Sequence, residues 1–282
     1  MLRALIFILL PLFTAGCLPE EKTDDIVNDQ GQTVADPTLR LNGLWNGEVD
    51  QAGALRALIY NGNVFAFDES IAYYGTIALD SSTDTATLTM DGFGYTTSET
   101  DANQYVAGGS SESYIFTGLV FPTAKEDDTI VGEYEADTTA GGFTLGNDGT
   151  WDVNSSLSAL KGKWTATNYE LYLTEVNGVL SFREVSVAAT PTGCTSYGTI
   201  TLINKEQNLY GVQLTERKNC AGFNVTNAPG YATVDSFGDL EFFIRKDDEL
   251  LYTRYSASSA SATTDTTTDT TTTDTTTETT TE

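Results

Sequence analysis

The chain has 282 residues; 40 are Asp or Glu, 14 are Lys or Arg, none is His, and the formal net charge is −26. That field repels nucleic acid, so no nucleic-acid partner is expected, and a chain without His can build no Ser-His-Asp or Cys-His set and no His-bearing metal site. Hydrophobic residues make up 40% of the chain and charged ones only 19%, a composition with enough apolar material for packed cores and the polar, Thr- and Gly-rich character of an exported β protein.

The N-terminus begins Met1-Leu2-Arg3 and then runs apolar from Ala4 to Phe13. A charged start, a short apolar stretch and a small-residue cleavage site describe a secretory signal peptide over residues 1–16. The run is shorter than the ~20 residues a bilayer core requires, and Pro11 interrupts it. Thr14-Ala15-Gly16-Cys17 resembles the lipobox of bacterial lipoproteins, with Ala15, Gly16 and Cys17 matching and Thr14 standing where Leu is usual. The resemblance implies that Cys17 carries lipid on its sulfur and an acyl chain such as palmitate on its nitrogen. Several chains exceed the two signals that stable anchoring requires. Leu18 rather than Asp after the cysteine implies sorting to the outer membrane. Residues 17–40, rich in acids from Glu20 to Asp36, then read as a disordered tether. At ~5–6 Å × √n its mean reach is ~25–30 Å.

From residue 41 onward alternation takes over. Leu55–Tyr60 and Val64–Phe67 flank Asn61-Gly62, the strongest short-range hairpin signal. Further strands are predicted at Tyr73–Leu79, Thr85–Met90, Tyr114–Val120, Ile130–Tyr134, Thr150–Val153, Tyr169–Thr174, Val179–Glu184, Tyr197–Ile203, Leu209–Thr215, Leu240–Arg245 and Leu250–Tyr255. Turns are predicted at Asp91-Gly92, Asp148-Gly149, Asn177-Gly178, Pro229-Gly230 and Asp247-Asp248. Short strands at regular spacing with no helical period predict an all-β antiparallel meander. Of the three cysteines, Cys17 is assigned to lipid; Cys194 and Cys220 remain, and an even remainder in an exported chain predicts a disulfide. A zinc pair is the alternative, though two Cys without His make a poor zinc site. Residues 256–282, Thr-rich with acids at regular spacing, predict a disordered tail, either sugar-bearing or simply solvating.

The two halves repeat one another. Leu41-Asn42-Gly43-Leu44-Trp45 matches Leu160-Lys161-Gly162-Lys163-Trp164, Asn61-Gly62 matches Asn177-Gly178, and Tyr74-Gly75-Thr76-Ile77 matches Tyr197-Gly198-Thr199-Ile200. Two tandem small β-barrel-like domains are therefore expected, over 41–155 and 156–255, with Trp45 and Trp164 each plugging one barrel. The Gly-x-Trp starts resemble the first-strand motif of lipocalins and related calycin barrels. They also resemble proteobacterial outer-membrane lipoproteins whose tandem β-barrel domains each open with Leu-x-Gly-x-Trp. In that second group a cysteine pair flanks a Tyr-Gly-Thr-Ile-like strand, as Cys194 and Cys220 do. The lipocalin likeness would place a late-strand arginine under the tryptophan, with Arg245 and Arg254 as candidates.

Catalytic signals are sparse. There is no Gly-x-Ser-x-Gly elbow and no phosphate-cradling loop. Glu126-Asp127-Asp128 and Asn147-Asp148-Gly149 lack calcium-loop spacing and read as turns. Tyr73, Tyr74, Tyr95, Tyr105 and Tyr114 could line a cavity or face a partner, and β-sheet burial accounts for them more simply. The chain is expected to be a non-catalytic, cofactor-free and metal-free envelope lipoprotein that offers its β domains to a protein or glycan partner. A carrier of a small apolar ligand is the alternative, and a carboxylate-based hydrolase the weakest reading.

Overall fold

A computed structural model describes residues 25–27, 33–97, 104–122, 128–188 and 193–258. Cys17 and the signal segment, most of the tether, Glu126 and Asp127, and the tail from 259 onward lie outside them. Within the expected tether, β1 (Asp25–Val27) pairs antiparallel with β2 (Thr33–Ala35). A short 3-10 turn, Pro37–Leu41, follows; Asp36 caps it by accepting the Thr38 backbone N–H.

The rest is an antiparallel β structure. A first set of strands comprises β3 (Gly43–Val49), β4 (Gly53–Tyr60), β5 (Asn63–Phe67), β6 (Ile71–Asp80), β7 (Thr85–Thr97), β8 (Gln104–Phe121), β9 (Thr129–Ala136) and β10 (Ala140–Asn147). After the one-turn helix α1 (Leu157–Leu160) comes a second set: β11 (Gly162–Ala166), β12 (Tyr169–Val176), β13 (Val179–Ser186), β14 (Thr195–Asn204), β15 (Leu209–Lys218), β16 (Thr226–Val234), β17 (Leu240–Lys246) and β18 (Glu249–Ala257). In the second set each strand pairs with the next and β11 pairs with β18, closing an eight-stranded barrel. In the first set each strand likewise pairs with its successor, and β10 returns to β3.

The two circuits share one continuous sheet because β8 also pairs with β18, Gln104 opposite Thr253 through Gly108 opposite Glu249. The edge of β18 is thus divided. Residues 249–253 bond to β8, and β11 takes over opposite Ser256 and Ala257. Val106 packs into the second core, among Leu171, Leu214 and Leu251. A separate core fills the first circuit around Trp45, Tyr73, Leu88 and Phe116.

The repeated sequence markers fall on equivalent places. Trp45 and Trp164 are buried, and each indole N–H donates to the carbonyl four residues back, Leu41 at 3.0 Å and Leu160 at 2.8 Å. Asn61-Gly62 and Asn177-Gly178 both adopt positive φ, as tight hairpin turns require. Gly75 and Gly198 sit where the next strand comes too close for a side chain. A Cβ would lie 2.0 Å from the Thr89 carbonyl oxygen in one case and 2.3 Å from that of Gln213 in the other.

Several sequence expectations are corrected. Asp91-Gly92 lies inside β7 rather than at a turn, because Gly92 leaves room for the Tyr114 ring, which would meet a Cβ at 2.5 Å. Pro229-Gly230 lies inside β16, where a Cβ on Gly230 would strike the Phe243 carbonyl at 2.4 Å. Thr150–Val153 forms a turn, and the last strand of the first circuit is β10 instead. The second barrel wall runs to Ala257, two residues past the expected end of that domain.

Cys194 and Cys220 form the expected disulfide, fastening the start of β14 to the loop after β15. The enclosed segment spans 26 positions, and opening such a loop costs ~3 kcal/mol on the loop-entropy model. Replacing both cysteines by Ala is expected to lower the free energy of unfolding by about that amount, read from urea unfolding with the m-value fitted for each variant, since opening the crosslink expands the unfolded chain.

Candidate binding cleft

The strands with apolar residues on both faces create the site. On β4, β5 and β17 burial runs nearly without a break, because one face fills its own core while the other meets the opposite circuit. Leu58, Tyr60, Phe65 and Phe67 from the first circuit pack on Leu209, Tyr231, Phe243 and Tyr252 from the second, and Trp151 joins them. The ring contacts are specific. Phe67 lies 5.0 Å from Tyr252, Tyr60 5.3 Å from Tyr231 edge-on, and Phe243 5.2 Å from Tyr252. Each such pair contributes ~0.5–1.5 kcal/mol beyond its buried area.

A cleft of about 400 Å³ opens at one end of this contact, lined from both circuits by Arg56, Phe67, Glu69, Tyr105, Phe237 and Arg254, with Glu241 and Tyr252 at its base. Arg56 on β4 reaches across to Glu241 on β17. Its Nε donates to both carboxylate oxygens at 3.1 Å, and its second nitrogen donates to Asn46 at 2.8 Å and Asp148 at 2.9 Å. The Tyr252 hydroxyl donates to Glu241 as well. Burial alone would discourage the Arg56 charge, but the charge and hydrogen bonds of Glu241, with Tyr252 and Asp148, outweigh it and hold the guanidinium above its ordinary value. On the rim, Arg254 pairs with Asp235 and with Asp239 at 3.0 Å. Asp235 also accepts the backbone N–H groups of Phe237 at 2.8 Å and Asp239 at 2.9 Å, which leaves Phe237 85% exposed at the hairpin tip.

A second buried polar network fixes the seam. Glu184 on β13 accepts from Tyr255, from Ser196 and from Arg217 at 2.9 Å. Gln104 of β8 enters this network in the second barrel, donating to Glu184 at 3.0 Å and accepting from Arg217 at 2.8 Å. Gln104, Glu184, Ser196, Arg217 and Tyr255 are each at most 3% exposed.

The sequence-derived candidates distribute as follows. Tyr73 and Tyr114 lie in the first core, and Tyr73 donates to Asp68 at 2.6 Å. Tyr74, Tyr95 and Tyr105 pack along the contact between circuits. Neither Arg245 nor Arg254 takes up the expected position under a tryptophan. Arg245 stacks on Tyr74 at 3.9 Å, and Arg254 is held by Asp235, since both side chains alternate onto the outer face of the barrel. Arg56, Glu241 and Gln104 were not singled out by the sequence. A charged residue within a doubly apolar strand, as Arg56 and Glu241 are, was the available signal. Among the described residues no group of three or more His, Cys, Asp and Glu is placed to hold a metal ion, and no helix is long and apolar enough to cross a membrane.

No family model matches the chain, and no curated protein matches it either. A solved structure of a protein of unknown function from the DUF3598 family of Nostoc punctiforme aligns over 78% of this chain and 97% of its own, at 10% identity and a TM-score of 0.26.

Two outcomes follow from these networks. Arg56→Ala strands Glu241 and Asp148 without their cation and is expected to cost ~3–5 kcal/mol, while Glu69→Gln on the rim leaves the urea midpoint unchanged. The buried tyrosines set an alkaline limit. Burial, reinforced by Asp68, Glu241 and Glu184 respectively, raises Tyr73, Tyr252 and Tyr255 above their ordinary value, and burial raises Tyr95 and Tyr231 too. The unfolded chain loses these protons near pH ~10 while the folded one keeps them, so stability holds below that pH and falls above it. Urea midpoints at pH 9 and pH 11 check this, together with absorbance at 295 nm showing these phenols ionising only on unfolding.

Proposed function

We propose that this is a non-catalytic, lipid-anchored protein of the bacterial envelope, held by Cys17, with two tandem β-barrel-like domains, the first over 41–155 and the second from 156 to the end of β18 at Ala257. It offers the cleft between them to a glycan or protein partner. One observation carries the reading. Both circuits are filled by packed side chains, the second with the help of Val106 and Gln104 from β8, whereas the cavity that gathers exposed aromatic faces and polar edges lies between them and is walled by both. Tyr105 and Phe237 supply flat apolar surfaces, and Glu69, Asn46 and Arg254 supply hydrogen-bonding edges around them. The volume suits a ligand of one or two rings or a side-chain anchor, within the ~300–1,000 Å³ typical of binding sites.

The matched tryptophans, hairpins and close-approach glycines support duplication of one unit. The disulfide supports an oxidising compartment and therefore export. The carboxylates of the cleft support binding over hydrolysis, since Glu241, Asp235 and Asp68 are each occupied by donors of this chain, which leaves Glu69 without the second carboxylate that glycoside hydrolysis requires. A small-ligand carrier remains the second reading, favoured by a cavity of about 500 Å³ against Trp164, Leu160, Val153 and Val234 at one mouth of the second barrel.

The test is retention of purified mature protein on immobilised envelope polysaccharide and on envelope protein extract. Phe237→Ala with Tyr105→Ala is expected to weaken retention on one of them at least ~10-fold, the cost of losing stacked aromatic contacts. Unchanged retention would remove the cleft as the site. Native mass spectrometry showing a co-purified apolar molecule would favour the carrier instead. Cys17→Ala is expected to move the protein from the membrane to the soluble fraction, and a variant still bound to membrane would end the anchor assignment.

A further inference from the structure

The contact between the circuits has another end. Four positions along β17 from Glu241, Arg245 lines a separate cavity of about 270 Å³ together with Tyr74, Tyr231, Pro229, Lys246 and Asp247. The Arg245 guanidinium lies over the Tyr74 ring, 3.9 Å from its centroid. Its Nε is buried and, like those of Arg217 and Arg254, has no hydrogen-bond acceptor among the described residues. Arg40, Arg56, Arg217 and Arg254 all meet carboxylates, and Arg183 is exposed to solvent. Arg245 meets none among the described residues, in a chain where 40 acids face 14 bases.

Stacking on Tyr74 covers one face of the guanidinium and leaves its N–H groups pointing along the plane, the geometry that a carboxylate accepts in a bidentate manner. Lys246 adds a second positive charge to the wall. Asp247 is the one acid in the lining and sits exposed on the β17–β18 hairpin. Phe65 and Tyr231 back the cavity but are buried, with Phe65 packed edge-on against Tyr74 at 4.9 Å, and half-buried Pro229 completes the apolar lining. The volume falls just below the ~300 Å³ at which drug-sized sites begin, which limits the occupant to a single ring.

We propose that this pocket binds a small ring-bearing carboxylate of the size of one hexuronate. The carboxylate lies in the plane of the Arg245 guanidinium, and the ring fills the rest of the cavity beside Pro229. This site is separate from the Arg56 cleft and does not depend on what that cleft binds.

Glucuronate is the probe, titrated calorimetrically into the mature protein with glucose and inorganic phosphate as controls. Saturable glucuronate binding is expected, with glucose and phosphate at least ~10-fold weaker. Arg245→Gln is expected to weaken glucuronate roughly 10- to 100-fold through loss of a charge-assisted hydrogen-bonding pair. Arg245→Lys keeps the charge but loses the planar fork and recovers little of the affinity. Phe237→Ala in the other cleft leaves the titration unchanged. Should either Arg245 variant misfold, the Nε–H resonance of Arg245 in the wild-type protein provides an independent reading, since glucuronate must shift it and glucose must not. The proposal is overturned by phosphate or glucose binding as tightly as glucuronate, by Arg245→Gln binding unchanged, by an unmoved Arg245 resonance, or by no saturation at millimolar glucuronate.

Discussion

The pairing of β8 with β18 is the constraint on which the rest of the molecule depends. Without it the described strands would be two closed circuits joined by α1 with its flanking turns and by side-chain contacts alone, with no strand pairing between them. With it, one strand edge is divided between two neighbours, and the first residues of β8 become part of the second barrel. Gln104 makes that division specific. Its amide donates to Glu184 and accepts from Arg217, and a slip of one residue would turn it to the opposite face. A buried ion pair contributes little net stability, but removing one member leaves a costly charge. The Glu184–Arg217 pair therefore acts chiefly to fix the register of this seam.

The inter-circuit cleft follows from the same constraint. Pairing at β8 and β18 brings the outer faces of β4, β5 and β17 together, and the aromatic side chains on those faces fill the space. Alternation along β17 then places Glu241, Phe243 and Arg245 on the face toward the first circuit. Glu241 meets Arg56, Phe243 meets Phe67, and Arg245 meets Tyr74. The polar groups thus lie at the two ends of an apolar contact, where ligand-sized space remains.

The all-β class, most strands and the Cys194–Cys220 disulfide were legible because each rests on local chemistry: alternation, primed hairpin turns and an even cysteine remainder. The turns expected at Asp91-Gly92 and Pro229-Gly230 failed because glycine there answers a tertiary need, room for Tyr114 in one case and for the Phe243 backbone in the other. Nothing in the sequence around Gln104 marks it as a member of the other circuit's core. Its partners lie 80 and 113 positions away, and no periodicity encodes such a distance. The cleft was half legible. Runs such as Val64-Phe65-Ala66-Phe67 and Leu240-Glu241-Phe242-Phe243 are apolar on both faces, which is how a strand covered on two sides reads. Alternation within one strand cannot show which strand from the other half covers it.

If the seam unites the circuits, they must open together. Native-state hydrogen exchange followed by mass spectrometry measures this directly, by comparing the most protected amides of β5 with those of β13 in the wild type and in Gln104→Ala. The expected result is a common opening free energy in both strands of the wild type and a joint fall in the variant. Distinct opening energies in the wild type, or a variant in which β13 loses protection while β5 keeps its own, would contradict it.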